Sequence, residues 1–273
     1  MFLLRRNSPL DGELLRRRFR VLEGKDGVRR LYDDLAEIYD HSRLLYLTRR
    51  LERCEEEVLR EWLKKIDPPI LDVGCGSGRY SLKSASRGVE TISIDLSLKM
   101  LKVLLRKLEG HGLRENVHVI LADGENLPFR DGSLKSLLCT LTFDHFQEPK
   151  KAISEFSRVL KVGGLCAIST LNKEHLKLLR RLLGISADKV PFLGETIPPT
   201  LVYETGHTGL EIQQMLSTYG FKSIKLMGCC YWGLFTPFIP EPMFRLLEKL
   251  LVKLKNSMKH AALHVVVAKK SPK

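Results

Sequence analysis

Three aspartates stand at or beside the ends of three apolar segments, and their type and spacing suit the binding of one polar ligand. Asp72 lies in residues 70–81, ILDVGCGSGRYS; Asp95 ends ETISID; Asp123 ends VHVILAD. A carboxylate accepts hydrogen bonds from hydroxyl and amino groups and attracts an ammonium group. If the three segments are parallel strands of one sheet, their carboxyl ends share an edge, and the aspartates converge there.

The glycines after Asp72 narrow the choice of ligand. Gly74, Gly76 and Gly78 read G-x-G-x-G, whereas the dinucleotide fingerprint reads G-x-G-x-x-G and holds a diphosphate at a helix N-terminus. A carboxylate two residues before the first glycine would repel a diphosphate and attract an ammonium group. S-adenosylmethionine has an ammonium and a sulfonium and no phosphate, so it suits this turn better than NAD. Asp95 could then accept hydrogen bonds from both ribose hydroxyls.

Apolar and amphipathic segments alternate along the chain and predict the elements that position these aspartates. The predicted strands are residues 69–74, 90–95, 117–123, 134–143, 164–170, 222–228 and 262–270. The predicted helices are residues 78–86, 96–108, 149–161 and 210–221. This alternation indicates a parallel sheet with helices on both faces. The glycine turn follows the first strand, and ligands of such sheets bind beyond the carboxyl ends of the strands.

Several of these segments resemble the class I S-adenosylmethionine-dependent methyltransferases, in the superfamily of the ubiquinone and menaquinone enzymes. LDVGCGSG resembles that family's first motif, SID its second and ADGENLPF its third, and residues 142–164 resemble the stretch from strand four to strand five. YDDLAEIYD (32–40) resembles the N-terminal helix that closes over the cofactor. The resemblance covers about residues 32–171. It implies an α/β, Rossmann-like, seven-stranded, mostly parallel sheet, with strand seven antiparallel between strands five and six.

The same resemblance implies S-adenosyl-L-methionine as the cofactor and assigns roles around it. The backbone of the three glycines would approach the methionine moiety and adenosine. Asp72 would help to hold the amino group, Asp95 the ribose and Asp123 the adenine. Other residues would flank the adenine or cover the methionine end: Leu96 and Gly124 for the adenine, Tyr32 and Tyr39 for the methionine. No metal is expected, because no Cys or His spacing matches a metal site.

His145 is the leading candidate for a catalytic base. Methyl transfer from a sulfonium is an in-line displacement, so a base is needed only if the acceptor loses a proton. His145 follows strand four, beside the expected methyl position, and histidine titrates near neutral pH. The alternative is that His145 only orders its loop or packs against the cofactor. Asp144, Asp40 and His41 are weaker candidates.

Two segments, residues 172–207 and 229–260, do not fit the alternation and are predicted to be insertions in a single domain spanning residues 32–273. Within the second, residues 242–256 predict a helix with one apolar face: Met243, Leu246, Leu247, Leu250, Leu251 and Leu254. Such a face could pack on the domain, form a lid over an apolar acceptor, or rest on a membrane surface. We expect the insertions to determine the acceptor, because the rest of the domain is committed to the cofactor.

The net charge of +13 lies mainly at the two ends of the chain. Residues 1–31, a basic N-terminal segment, hold nine Arg or Lys and four acids, and residues 241–273 hold eight and two. This pattern is compatible with an acidic partner, such as RNA or an anionic membrane surface, and equally with a solvated surface that keeps the protein soluble. The leading interpretation is a small, lipid- or quinone-like acceptor. The alternatives are RNA, such as tRNA, and a non-catalytic methyltransferase-like binding protein.

The cysteines and the hydropathy favour a cytoplasmic protein. The six cysteines are scattered apart from the adjacent Cys229 and Cys230, which suggests reduced thiols. There is no run of about 18 apolar residues. The start, MFLLRRN, is too short and too soon basic for a secretory signal. Any membrane contact is therefore expected to be peripheral.

Overall fold

The computed structural model describes residues 20–40, 46–177, 189–192, 198, 200–231, 239–251 and 258–272. The strands are β1 (Arg20–Leu22), β2 (Ile70–Val73), β3 (Thr91–Asp95), β4 (Val117–Leu121), β5 (Leu134–Cys139), β6 (Leu160–Leu171), β7 (Lys189–Phe192), β8 (Thr200–Tyr203), β9 (Phe221–Cys229) and β10 (Leu263–Lys270). The α-helices are α1 (Gly24–Leu35), α2 (Tyr46–Leu63), α3 (Arg79–Ala85), α4 (Leu98–Gly110), α5 (Pro149–Val159), α6 (Gly209–Thr218) and α7 (Glu241–Leu251).

The larger sheet has seven strands in the order β4-β3-β2-β5-β6-β10-β9. Strands β2 to β6 pair in parallel, and β10 is antiparallel to both of its neighbours, β6 and β9. The predicted α/β fold is therefore confirmed, including the antiparallel last strand. β2 pairs with β3 on one side and with β5 on the other, so the strand order reverses beside it. This switch point is where such sheets bind ligands.

The strands contribute alternate residues to two apolar cores, one on each face of the sheet. Leu71 of β2 belongs to a core that includes Phe156 of α5. Its neighbour Ile70 belongs to a second core that includes Leu59 of α2. All four side chains are buried, and burial of such a side chain contributes about 1.5–3 kcal/mol. Helices therefore stabilise the sheet from both faces, as a parallel sheet requires.

A second, three-stranded sheet has the order β1-β8-β7. Val21 of β1 pairs with Leu201 of β8, so the N-terminal segment and residues 172–207 meet in one sheet. α1 continues from Gly24 to Leu35, across residue 31, where sequence analysis separates the basic segment from the domain. The sequence did not predict this sheet, because strands of three or four residues are too short to show a period.

The second predicted insertion, residues 229–260, contains α7. Phe244 and Glu248 are the buried residues of this helix. A large part of the predicted apolar face is exposed instead: Met243, Leu246 and Leu250. Leu254 and residues 232–238 lie outside the described residues. Over the part of the chain that the structure describes, no helix is long and apolar enough to cross a bilayer.

Candidate active site

A cavity of about 380 Å³ lies at the carboxyl ends of β2, β3, β4 and β5. We call residues 72–77, 95–96 and 122–125 its floor, and residues 25–40 together with Glu52 its cover. Ten of the eleven predicted site residues line it: Tyr32, Tyr39, Asp72, Gly74, Gly76, Asp95, Leu96, Asp123, Gly124 and His145. The described residues of 172–207 and 229–260 do not line it. Much of both segments lies outside the described residues, so the acceptor lid stays a prediction.

Asp95 ties the glycine turn to the end of β3. Its Oδ2 accepts a hydrogen bond from the Gly76 N–H at 2.8 Å, and its Oδ1 accepts one from the Ser97 N–H at 2.8 Å. Burial raises the pKa of Asp95, although these N–H donors oppose the rise. Each carboxylate oxygen has a further lone pair, so Asp95 can still accept a hydrogen bond from a ribose hydroxyl.

Gly76 leaves open space at the floor. Its φ of +53° lies in the left-handed region that favours glycine, and a Cβ added there would meet nothing within 4 Å. At Gly74, by contrast, an added Cβ would lie 2.2 Å from Cγ2 of Thr142. Gly76 therefore permits the close approach of a ligand, whereas Gly74 accommodates a protein side chain.

Gly78, also predicted to bind the cofactor, does not line the cavity. Its φ is +92°, and an added Cβ would lie 2.2 Å from Cδ1 of Leu104, a buried residue of α4. Its N–H donates to the Cys75 carbonyl at 2.9 Å, so this group is not available to a ligand. The physical reason for glycine here is the packing of the start of α3 against α4.

Asp72 is buried at the end of β2, with 2% of its surface exposed. Its Oδ2 accepts a hydrogen bond from the Ser81 hydroxyl at 2.7 Å, and Ser81 in turn accepts one from Ser93 at 2.8 Å. Burial raises the pKa of Asp72 to about 6, although the Ser81 hydrogen bond and Arg79 oppose the rise. A neighbouring cation would stabilise the ionised form of this buried carboxylate. The predicted contact of Asp72 with an ammonium group provides such a cation.

Asp123 binds Lys25, a cover residue that the sequence did not single out. Nζ of Lys25 lies 2.6 Å from Oδ2 of Asp123 and 2.6 Å from Oε2 of the buried Glu125. Burial alone would raise the pKa of Asp123, but the hydrogen bonds from Lys25 and from the Glu125 N–H outweigh it and lower the pKa. Asp123 is therefore ionised and able to accept hydrogen bonds, and Lys25 joins α1 to the floor.

His145 is held between the cover and the second sheet. Its Nδ1 lies 3.1 Å from the Tyr203 carbonyl, so Nδ1 carries the proton, because a carbonyl only accepts. Its Nε2 lies 2.8 Å from the Tyr32 hydroxyl, which then donates to this nitrogen. Burial raises the pKa of Tyr32 well above its usual range, as do Tyr39 and nearby carboxylates, so Tyr32 stays protonated. Nε2 of His145 and the Tyr32 hydroxyl thus form a hydrogen-bonded pair at the cavity.

The weaker base candidates have structural partners. Asp144 is buried and accepts a hydrogen bond from the Thr170 hydroxyl. Asp40 lines the cavity and pairs with Lys107 at 2.9 Å. His41 lies outside the described residues. Among the described candidates, His145 is the one whose contacts suit proton transfer.

Two further cavity residues, Leu141 and Glu52, were missed by sequence analysis. Leu141 has a φ of 50°, which costs a residue other than glycine about 1–2 kcal/mol, and such strain concentrates at functional sites. Glu52 lies on α2, and burial raises its pKa although Arg79 lowers it. The sequence around neither residue indicates a functional site, because a leucine in an apolar run and a glutamate in an acid-rich helix are common.

Several known proteins with similar sequences are methyltransferases. The family described as Methyltransferase domain matches residues 71–168. A demethylmenaquinone methyltransferase from Clavibacter sepedonicus is 30% identical over 210 residues, which cover 71% of this chain and 82% of that protein. Another, from Paenarthrobacter aurescens (strain TC1), is 31% identical over 157 residues, which cover 58% of this chain and 60% of that protein. The chain thus spans about three fifths of the length of the latter relative.

Solved structures share the fold at lower identity. A SAM-dependent methyltransferase from Methanosarcina mazei has a TM-score of 0.58 and 20% identity, covering 79% of this chain and 98% of that chain. The [4+2]-cyclase SpnF has a TM-score of 0.61 and 14% identity, covering 93% and 100%. These likenesses show the fold alone, because one fold can serve different reactions.

The fold, the cavity and the relatives together define a class I S-adenosylmethionine-dependent methyltransferase. The chain belongs to this family, in the superfamily that includes the menaquinone and ubiquinone methyltransferases. The family implies S-adenosyl-L-methionine as the cofactor, and the residues present fit it. Gly76 leaves space for the ligand to approach the backbone. The carboxylates of Asp72 and Asp95 can accept hydrogen bonds from its ammonium and hydroxyl groups. Among the described residues, no cluster of three His, Cys, Asp or Glu could hold a metal.

Proposed function

We propose that the protein transfers a methyl group to a small, largely apolar acceptor, with His145 as the base where the acceptor must lose a proton. One observation carries the proposal: at the cavity, Nε2 of His145 lies 2.8 Å from the phenol hydroxyl of Tyr32, while Nδ1 lies 3.1 Å from the Tyr203 carbonyl. S-adenosylmethionine, when bound, supplies an activated methyl group on its sulfonium. Two similar proteins are named as demethylmenaquinone methyltransferases, which supports a lipid- or quinone-like acceptor.

In this proposal the floor orients the cofactor, and His145 takes the proton of the acceptor. Asp72 and Asp95 would orient the cofactor. The rate of methyl transfer would then rise mainly because the methyl group and the acceptor are held close together and aligned. An acceptor hydroxyl that replaces the Tyr32 hydroxyl would donate to the same Nε2 of His145, and its proton would move to that nitrogen. The Tyr203 carbonyl would stabilise the resulting imidazolium through Nδ1–H.

The charges around the cavity favour an apolar acceptor over RNA. Four cations line the cavity, and each pairs with a carboxylate: Lys25 with Asp123, Arg79 with Glu55, Lys83 with Glu56 and Lys107 with Asp40. An RNA site would need unpaired cations to neutralise phosphates. Apolar and aromatic side chains also line the cavity: Val28, Tyr80, Leu82, Leu141 and Phe146. Ligand pockets for small molecules have this mixture of an apolar wall and a few polar groups.

The test is to incubate the protein with tritiated S-adenosylmethionine and either extracted lipids or total RNA, at low and high salt. We expect label in the organic phase, insensitive to salt, and its loss in His145→Ala. The control is His118→Ala, because the His118 side chain is 56% exposed at the surface and does not line the cavity. Salt-sensitive label in RNA would contradict the proposal. No transfer to either fraction, despite measured cofactor binding, would favour a non-catalytic role.

A further inference from the structure

We propose that α7 docks the protein on an anionic lipid surface. Three large apolar side chains lie along one exposed side of this helix: Met243, Leu246 and Leu250, which we call the α7 stripe. They are 48%, 59% and 55% exposed, respectively. Positions i, i+3 and i+7 fall on one face of a helix, so the three form a continuous strip. A soluble protein gains nothing from exposing such a strip to water, whereas a membrane surface would cover it.

Contacts on the opposite side of α7 fix the direction of the stripe. The buried Glu248 accepts hydrogen bonds from the N–H groups of Cys230 and Tyr231 at 2.9 Å and 2.6 Å. Phe244 is buried, with the guanidinium of Arg50 on α2 4.9 Å from its ring centre. The helix therefore cannot rotate the stripe inward without breaking these contacts.

The charge beside the stripe is positive, which indicates an anionic partner. Arg245 and Lys249 are exposed, and on a helix they lie side by side next to the stripe. The two acids of α7 face the protein: Glu248 is buried, and Glu241 is shared by Arg50, Arg53 and Arg245. An apolar strip bordered by cations is the pattern of helices that lie in the membrane interface. A second copy of the same basic face would be repelled, so we favour a lipid surface over self-association.

The stripe lies one helix away from the cavity. α7 contacts α2 through Arg50 and Arg53, and the same helix α2 brings Glu52 to the cavity. Docking through α7 would thus hold the cavity near the surface from which an apolar acceptor is collected. The docking itself does not depend on the acceptor, so it can be tested without turnover.

The experiment measures sedimentation of the full chain with vesicles of phosphatidylcholine, with and without phosphatidylglycerol. We expect binding that needs phosphatidylglycerol and falls at least about tenfold in the double variant Leu246→Asp/Leu250→Asp. Arg245→Glu/Lys249→Glu should also reduce it, by a similar factor. The matched control is Leu210→Asp, because Leu210 is 70% exposed on α6, outside α7, and should leave binding unchanged.

Three results would overturn the proposal. They are no binding by the wild type, equal binding by the Leu246/Leu250 variant, and equal loss in the Leu210 control. Concentration-dependent dimerisation that the Leu246/Leu250 variant abolishes, without vesicle binding, would assign the stripe to a second copy instead. Calorimetric binding of S-adenosylmethionine checks that each variant is folded, and Met243→Gln provides a milder substitution if the double variant is not.

Discussion

The floor and the cover of the cavity are built in different ways. The floor comes from three strand ends that are adjacent in one sheet, and backbone N–H groups hold its central carboxylate, Asp95. The cover is held by long-range side-chain contacts: Lys25 reaches Asp123 on the floor, 98 residues away, and Tyr32 reaches His145, 113 residues away. We infer that the floor fixes the cofactor, while the cover and His145 determine what happens to the acceptor.

The largest expected effect is on the cover side, in His145→Ala. Turnover should fall about 10²–10⁴-fold, because this variant removes the nitrogen that accepts the proton. Cofactor affinity should change little, since the floor is intact. Measured turnover with a quinone or lipid acceptor tests this, with His118→Ala as the control. A loss of only a few-fold at every pH would assign His145 to packing.

The next effect separates two glycines that look alike in the sequence. Gly78→Ala should lower the free energy of unfolding by roughly 2–4 kcal/mol, because it combines a positive φ with a collision against Leu104. Gly76→Ala should cost only about 1–2 kcal/mol of stability but weaken cofactor binding. Urea unfolding and calorimetry on both variants test this. Equal loss of stability would contradict the division into a packing glycine and a ligand-facing glycine.

On the floor, Asp95→Ala should weaken S-adenosylmethionine binding by about 1–3 kcal/mol, the usual cost of a charge-assisted hydrogen bond. Calorimetry measures this change, and NAD should show no comparable affinity. Asp131→Ala is the control, because the side chain of Asp131 is 80% exposed and does not line the cavity. Unchanged affinity in Asp95→Ala would refute the assignment to the ribose.

The smallest effect concerns pH. Burial raises the pKa of Asp72 from 3.8 to about 6, so between about pH 4 and 6 the folded protein keeps a proton that the unfolded chain has lost. Ionisation of Asp72 therefore lowers the stability of the ligand-free protein as the pH rises through this window. An ammonium group prefers the ionised form, so cofactor affinity should fall about tenfold from pH 7 to pH 5. In Asp72→Asn the cofactor affinity should depend less on pH. An unchanged dependence would exclude Asp72 as the group that titrates.

The sequence predicted the floor better than the cover, for a physical reason. Asp72, Asp95 and Asp123 each lie in or next to a segment whose apolar residues predict a strand. Because parallel strands end at one edge of the sheet, the sequence was enough to predict that these side chains lie close together. Tyr32 and His145 were both indicated, but a single sequence does not show that they hydrogen-bond to each other. The role of Lys25 depends on where α1 packs.

The sequence could not distinguish similar residues where packing decides between them. Gly78 was grouped with Gly74 and Gly76, because the contact with Leu104 is not visible in the spacing. For the leucine face of α7, the sequence left packing, a lid and a membrane surface open, and the structure buries Phe244 and Glu248 instead of most of that face. A buried glutamate that caps a turn through two N–H groups is not predicted by hydropathy.

The most direct test of the account is single-turnover methyl transfer at saturating S-adenosylmethionine, measured in the wild type, Asp95→Ala and His145→Ala with a lipid or quinone acceptor. We predict that saturation restores most of the rate in Asp95→Ala, because its defect is in cofactor affinity, and that His145→Ala stays slow. A rate in His145→Ala equal to the wild type, or a defect in Asp95→Ala that saturation does not relieve, would contradict the division between floor and cover.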